Sequence, residues 1–100
     1  MSPIPPLPIR EAVRLNKLLS PYLPEINGDA PLDFVGKIIE NIKNNGQHSV
    51  YLDAIALMYK TTPDKIVENS TPEEALTMFV EGLIANRITA LHQFCQKLGL

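Results

Sequence analysis

Apolar residues recur every three or four positions through most of this chain, and that spacing predicts helices rather than strands. The longest such stretch runs from Ser70 to Leu100. Thr71 stands in the N-cap position, Pro72 at the first helical residue and Glu74 three positions after the cap. Thr71 would accept from the Glu74 backbone, and the Glu74 carboxylate would reach back to the Thr71 N–H. Glu73 and Glu74 also sit where the helix dipole favours negative charge. Apolar positions follow at Leu76, Phe79, Val80, Leu83, Ile84, Ile88, Leu91, Phe94, Cys95 and Leu98. Lys97 falls in the last turn, and Gly99 is placed to stop the helix in a left-handed conformation. Read as one helix, the stretch would be about 40 Å long, and part of its stripe would extend past the rest of the fold.

The earlier chain breaks into shorter elements. Residues 1–8 hold Pro3, Pro5, Pro6 and Pro8, which predicts an extended leader with Pro8 opening a helix. The spacing from Pro5 to Arg10 also matches a short polyproline II ligand. A first helix spans Ile9 to about Leu19 and ends before Pro21. Asn27, Gly28 and Asp29 read as a turn, with Asp29 free to cap a second helix whose first turn contains Pro31. Its apolar face is Leu32, Val35, Ile38, Ile39 and Ile42, and Asn44, Asn45 and Gly46 end it. Ser49 is placed to cap a third helix running to about Lys60, with Val50, Ala54, Ile55, Leu57 and Met58 supplying apolar surface. A short capped helix near residues 63–68 follows, with Ile66 and Val67 tucked under neighbours. No segment alternates like a strand. The predicted fold is all-α: one small domain over residues 9–100, a bundle of four main helices plus a short fifth, with a long C-terminal helix.

Composition narrows the function. One hundred residues with 45% hydrophobic content suit a single domain with a modest core. The net charge of −2 and the dispersal of the nine Lys and Arg argue against nucleic acid as a partner. A single cysteine, Cys95, excludes an intramolecular disulfide and fits a cytoplasmic location. The proline-broken opening, punctuated by Arg10, Glu11, Arg14 and Lys17, does not read as a signal peptide, and no apolar run reaches the ~20 residues of a membrane span.

Chemical constellations are sparse. His92 and Cys95 share a helix face as half a zinc site, but His48 is the only other histidine. They read as a histidine beside a buried thiol. His48 and Asp53 would need a third group from the fold to act as an acid–base pair. The five glycines are scattered and form no phosphate loop. No enzyme activity, cofactor or metal is therefore expected. The third helix with Thr62 to Ile66 has the outline of a helix-turn-helix, yet residues 61–83 carry five acids against Lys65 alone, the wrong balance for reading a duplex. Gly82 costs about 1 kcal/mol of helix propensity. It marks either the close approach of another helix or a solvated face. Arg87 lies near the apolar stripe, able to lay its stem along it or to pair with an acid elsewhere.

The second half resembles the small tail assembly chaperones of bacteriophages. The likeness lies in Asp53, Ala54, Ile55, Ala56, Leu57 and Met58, then Asp64, Lys65 and Ile66, then Ser70 to Leu76, and a final apolar helix ending Phe94 to Leu100. Arg14 to Leu19 loosely matches the opening segment of that family, while the proline leader departs from it. The resemblance implies a non-enzymatic protein of the host cytoplasm. It would bind the tape measure protein, a long helical chain prone to aggregate, and recruit tail tube subunits. The end of the last helix, Leu91, Phe94, Cys95 and Leu98, is the candidate partner-binding surface; otherwise the same residues close the core against the first helix. The alternative function is a small helical adaptor or regulator, able to homo-oligomerise through its last helix. A DNA-binding regulator is the third reading.

Overall fold

The computed structural model describes residues 6–26, 28 and 30–99. Its elements are α1 (Ile9–Leu19), a 3-10 turn (Ser20–Tyr22), α2 (Pro31–Asn44), α3 (Ser49–Tyr59), α4 (Pro63–Asn69), α5 (Pro72–Ala85) and α6 (Ile88–Leu98). The regular structure among the described residues is all helical, in six helices rather than four and a short fifth. No described helix is long and apolar enough to cross a membrane.

The packing is centred on α3. Of its eleven residues, only Ser49 and Asp53 are exposed. A helix apolar on every side has no face to offer water, so it must be surrounded. α1, α4 and α5 pack on it directly, α2 lies against α5, and α6 lies against α1 and α2. The core draws Leu15 and Leu19 from α1, Phe34, Val35, Ile38 and Ile42 from α2, Ala54, Ile55 and Met58 from α3, and Phe79 and Leu83 from α5. Two tyrosines of α3 tie the layers together. Tyr51 Oη donates to the Ile39 carbonyl of α2 at 2.9 Å, and Tyr59 Oη donates to the Met78 carbonyl of α5 at 3.0 Å. Burial pushes both phenols up in pKa, with the Glu81 charge adding to the effect at Tyr59, so both remain donors.

Gly82 is where α5 meets α3. A Cβ at this position would lie 2.6 Å from Met58 Cε and 2.7 Å from Met58 Sδ. The glycine therefore belongs to a close approach within the chain, which is what its helix-propensity cost obtains. The small residue faces the most apolar helix, not solvent.

The long C-terminal helix is not formed. Asn86 ends α5, Arg87 takes a left-handed conformation at φ 49° and ψ 60°, and α6 starts at Ile88. Phe79 and Leu83 face the core from α5, and Ile88 and Cys95 from α6. At 100° per residue, Leu83 and Ile88 would point about 140° apart on one continuous helix. Breaking the helix lets both face inward. Asn86 holds the break: its Nδ2 donates to the Gly82 carbonyl at 2.9 Å, and its Oδ1 accepts the Leu7 N–H at 2.8 Å.

Local start and stop signals fare unevenly. The Thr71–Glu74 capping box forms, with both bonds near 3 Å, and the bonds to the Thr71 backbone and hydroxyl lower the Glu74 pKa. Thr62 caps α4. Gly28, Gly46 and Gly99 take positive φ. The expected cap at Asp29 lies outside the described residues, as does its neighbour Asn27, and Ala30 holds the N-cap position of α2. Ser49 begins α3 but does not cap it. Lys60, the expected end of the third helix, is the left-handed residue that closes α3. Val67 is exposed, while Ile66 alone of that pair is buried, because α4 is a single-sided helix of seven residues.

Gly82→Leu is expected to lower stability by about 1–3 kcal/mol through overpacking against Met58. Gly82→Ala should stay near wild type, since the ~1 kcal/mol gained in helix propensity offsets the shift asked of the flexible Met58 terminus. Urea unfolding followed by circular dichroism measures both. An unchanged midpoint for the leucine variant would mean that the two helices do not touch there.

Candidate α1–α6 docking surface

α6 lies along α1 with both chains running in the same sense. Leu7 meets Asn86 at one end, Asn16 meets His92 further along, and the Lys17 charge acts on Cys95 beyond that. Between the helices and the leader runs a shallow groove of about 290 Å³, walled by Ile9, Ala12 and Val13 on one side and Ala90, Leu91 and Phe94 on the other. Pro6 and Leu7 line one end with Asn86 and Arg87.

The four residues of the predicted partner surface separate by depth. Cys95 is fully buried, and Leu91 is half-buried against the core. Phe94 is 42% exposed and Leu98 58% exposed. Phe94 and Leu98 are thus exposed to solvent, while Cys95 faces the interior. Ile9 of α1, 70% exposed, lines the same groove as Phe94, while Leu98 lies one turn beyond it on α6. Apolar groups grouped around a groove mark an interaction surface more strongly than scattered ones.

The fold also gathers charge that is scattered in the sequence. Arg10, Arg14, Lys17, Arg87 and Lys97 all belong to α1, α6 or the residue opening α6, and all are exposed. Five of the nine Lys and Arg therefore belong to these two helices and Arg87, with Glu11 as the single acid among them; Arg87 lines this groove, whereas Arg14 lines another groove beside Glu11, Asp53 and Lys60. The rest of the chain carries the other ten acids against four cations. α1 and α6 are thus the most basic elements of an otherwise acidic chain.

Beneath the groove is a buried polar contact. Asn16, 4% exposed, sits between Leu15 and Leu19 in the packed face of α1. Its Oδ1 accepts from His92 Nδ1 at 3.1 Å, in the tautomer that protonates Nδ1. Burial lowers the His92 pKa from its ordinary value of 6.5. Burial also raises the Cys95 thiol, an effect that the Lys17 charge partly opposes. His92 is thus engaged with Asn16 and Cys95 is a protonated core thiol. Among the described residues, no three His, Cys, Asp or Glu side chains come together as a metal site. His48 and Asp53 line different grooves. α4, in the place of a recognition helix, carries Asp64 and Glu68 with Lys65.

Asn16 and Asn86 were not singled out by sequence. Asn16 does leave a trace: it follows Val13 by three and precedes Leu19 by three, an apolar position filled by an amide. No family model, curated protein or solved structure matches this chain.

Two measurements test this region. In the pH window between the lowered His92 value and ~6.5, the unfolded chain binds the extra proton, so stability is full above that window and is lost as pH falls through it. The melting temperature should therefore fall as pH drops below the ordinary histidine value of ~6.5, and His92→Gln should flatten that slope. The Cys95 thiol should resist a disulfide reagent in the native protein and react readily in denaturant. Rapid native labelling would place Cys95 at the surface.

Proposed function

We propose that this chain is a non-enzymatic binding protein that takes an amphipathic helix of a partner protein into the α1–α6 groove. The observation that carries the reading is the pairing of exposed Ile9 and Phe94 across one groove that also has Arg87 in its lining, between two helices that hold four further cations and one acid. An apolar helical seam flanked by acidic residues complements that surface in both respects. Acidic charge elsewhere keeps the protein itself dispersed.

The resemblance of residues 50–100 to phage tail assembly chaperones narrows the proposal. In that reading the partner is the tape measure protein, whose long helices need a holder before the tail tube encloses them. The two-helix C-terminal third, α5 and α6 joined at Arg87, departs from the single long helix of the expectation. It leaves the apolar end of α6 on the surface all the same. The adaptor reading shares this surface. Self-association through it is the weaker version of that reading, because two copies paired symmetrically would bring like charge together.

Co-expression with the tape measure protein of the same genome, followed by pull-down at low and high salt, tests the proposal. The partner should be retained and soluble, with retention falling as salt screens the cations of α1 and α6. Phe94→Asp should weaken retention about tenfold or more without loss of helicity, as truncation of an interface aromatic does. An unfolded Phe94→Asp would assign the residue to the core, and an insoluble, unretained tape measure protein would leave the adaptor reading.

A further inference from the structure

A second cavity lies on another part of the molecule, where the end of α2, the start of α3 and the start of α5 meet. We propose that it binds a small organic anion with an apolar body, of the class of medium-chain monocarboxylates. The cavity measures about 340 Å³. That is the lower end of the roughly 300–1,000 Å³ of ligand pockets, with room for a medium acyl chain.

Its walls are apolar and held in place. Ile55, fully buried, forms the floor, with Ala75, Leu76 and Pro72 along the α5 side. Tyr51 forms another wall. Its hydroxyl is spent on the Ile39 carbonyl, and its ring meets Phe79 edge-on at 5.0 Å, so neither end is free to turn into the space. A pocket with fixed walls does not have to be ordered by its ligand, which removes one cost of binding.

The polar groups lining it are of one kind. Lys43 and His48 are the charged or protonatable side chains at the mouth besides the engaged Tyr51, and both are exposed. His48 stacks beside Tyr51 at 6.5 Å, which sets its ring at the edge of the apolar wall. No lining residue is acidic. Of the acids in the first turn of α5, Glu74 is turned back to the Thr71 N–H, and neither it nor Glu73 lines the cavity. A ligand therefore meets apolar surface inside and positive charge at the rim. That arrangement favours a carboxylate head in water beside Lys43 and its hydrocarbon within. It disfavours a cation, and it gives a neutral analogue less.

The test is a titration of the isotope-labelled protein with decanoate below its micelle concentration, followed by amide chemical shifts. Shifts should saturate and cluster at residues 43, 48, 51, 75 and 76. Decanol should bind more weakly and decyltrimethylammonium weakest. Lys43→Gln should weaken decanoate by about fivefold, the scale of an exposed charge pair, and leave decanol unchanged. Leu76→Glu, an exposed position, should abolish decanoate binding in a protein whose spectrum remains folded. Equal binding of the three head groups, shifts confined to the α1–α6 groove, or an unaltered Lys43→Gln titration would each overturn the proposal. None of these outcomes bears on whether a partner helix occupies the other groove.

Discussion

A helix with almost no wettable side sets the terms for this protein. α3 can be stable in water only when other elements enclose it, and three of the five remaining helices do so directly. Its two tyrosines make the enclosure specific, because each phenol must reach one backbone carbonyl of a neighbouring layer. Gly82 then sets how near α5 comes. Apolar burial supplies the driving force, whereas the hydroxyl bonds and the glycine contact select one arrangement from the many that would bury similar area.

The separation of charge follows from that enclosure. α1 and α6 have α3 and α2 on their inner sides, so their cations are left on the outside. Sequence order conceals this, because Arg10, Arg14 and Lys17 lie at least seventy positions from Arg87 and Lys97. A net charge of −2 describes neither these two helices nor the rest of the chain. Acidic charge of this kind opposes aggregation, and cations gathered on two helices would favour an acidic partner.

The all-helical class was legible because the 3.6-residue period is strong and no strand pattern competes with it. The Thr71 start was legible because a capping box is a local signal read over four residues. The break at Arg87 was not. Ile84 carries the apolar period across the junction from Val80 to Ile88, although it is 40% exposed once the chain folds. The real constraint is the mutual direction of Leu83 and Ile88, which depends on where α1 and α2 sit. Positive φ at an arginine carries no compositional mark. The same is true of the groove: Phe94 and Leu98 belong to a recognisable stripe, but only tertiary packing decides that Cys95 lies inward and Ile9 beside Phe94. Asn86 draws its importance from Leu7, 79 positions away.

That last contact has a bearing on when the surface comes into being. The α1–α6 groove is made from the two extremes of the described chain, and α1 emerges from the ribosome long before its partner helix. Until α6 arrives, the inner face of α1 has half its lining and the groove does not exist as a surface. Pairings across such long sequence separations are late events in folding. Recognition through this groove would thus distinguish a folded protein from a nascent or truncated one, with the seating of α6 as the step that makes the molecule competent.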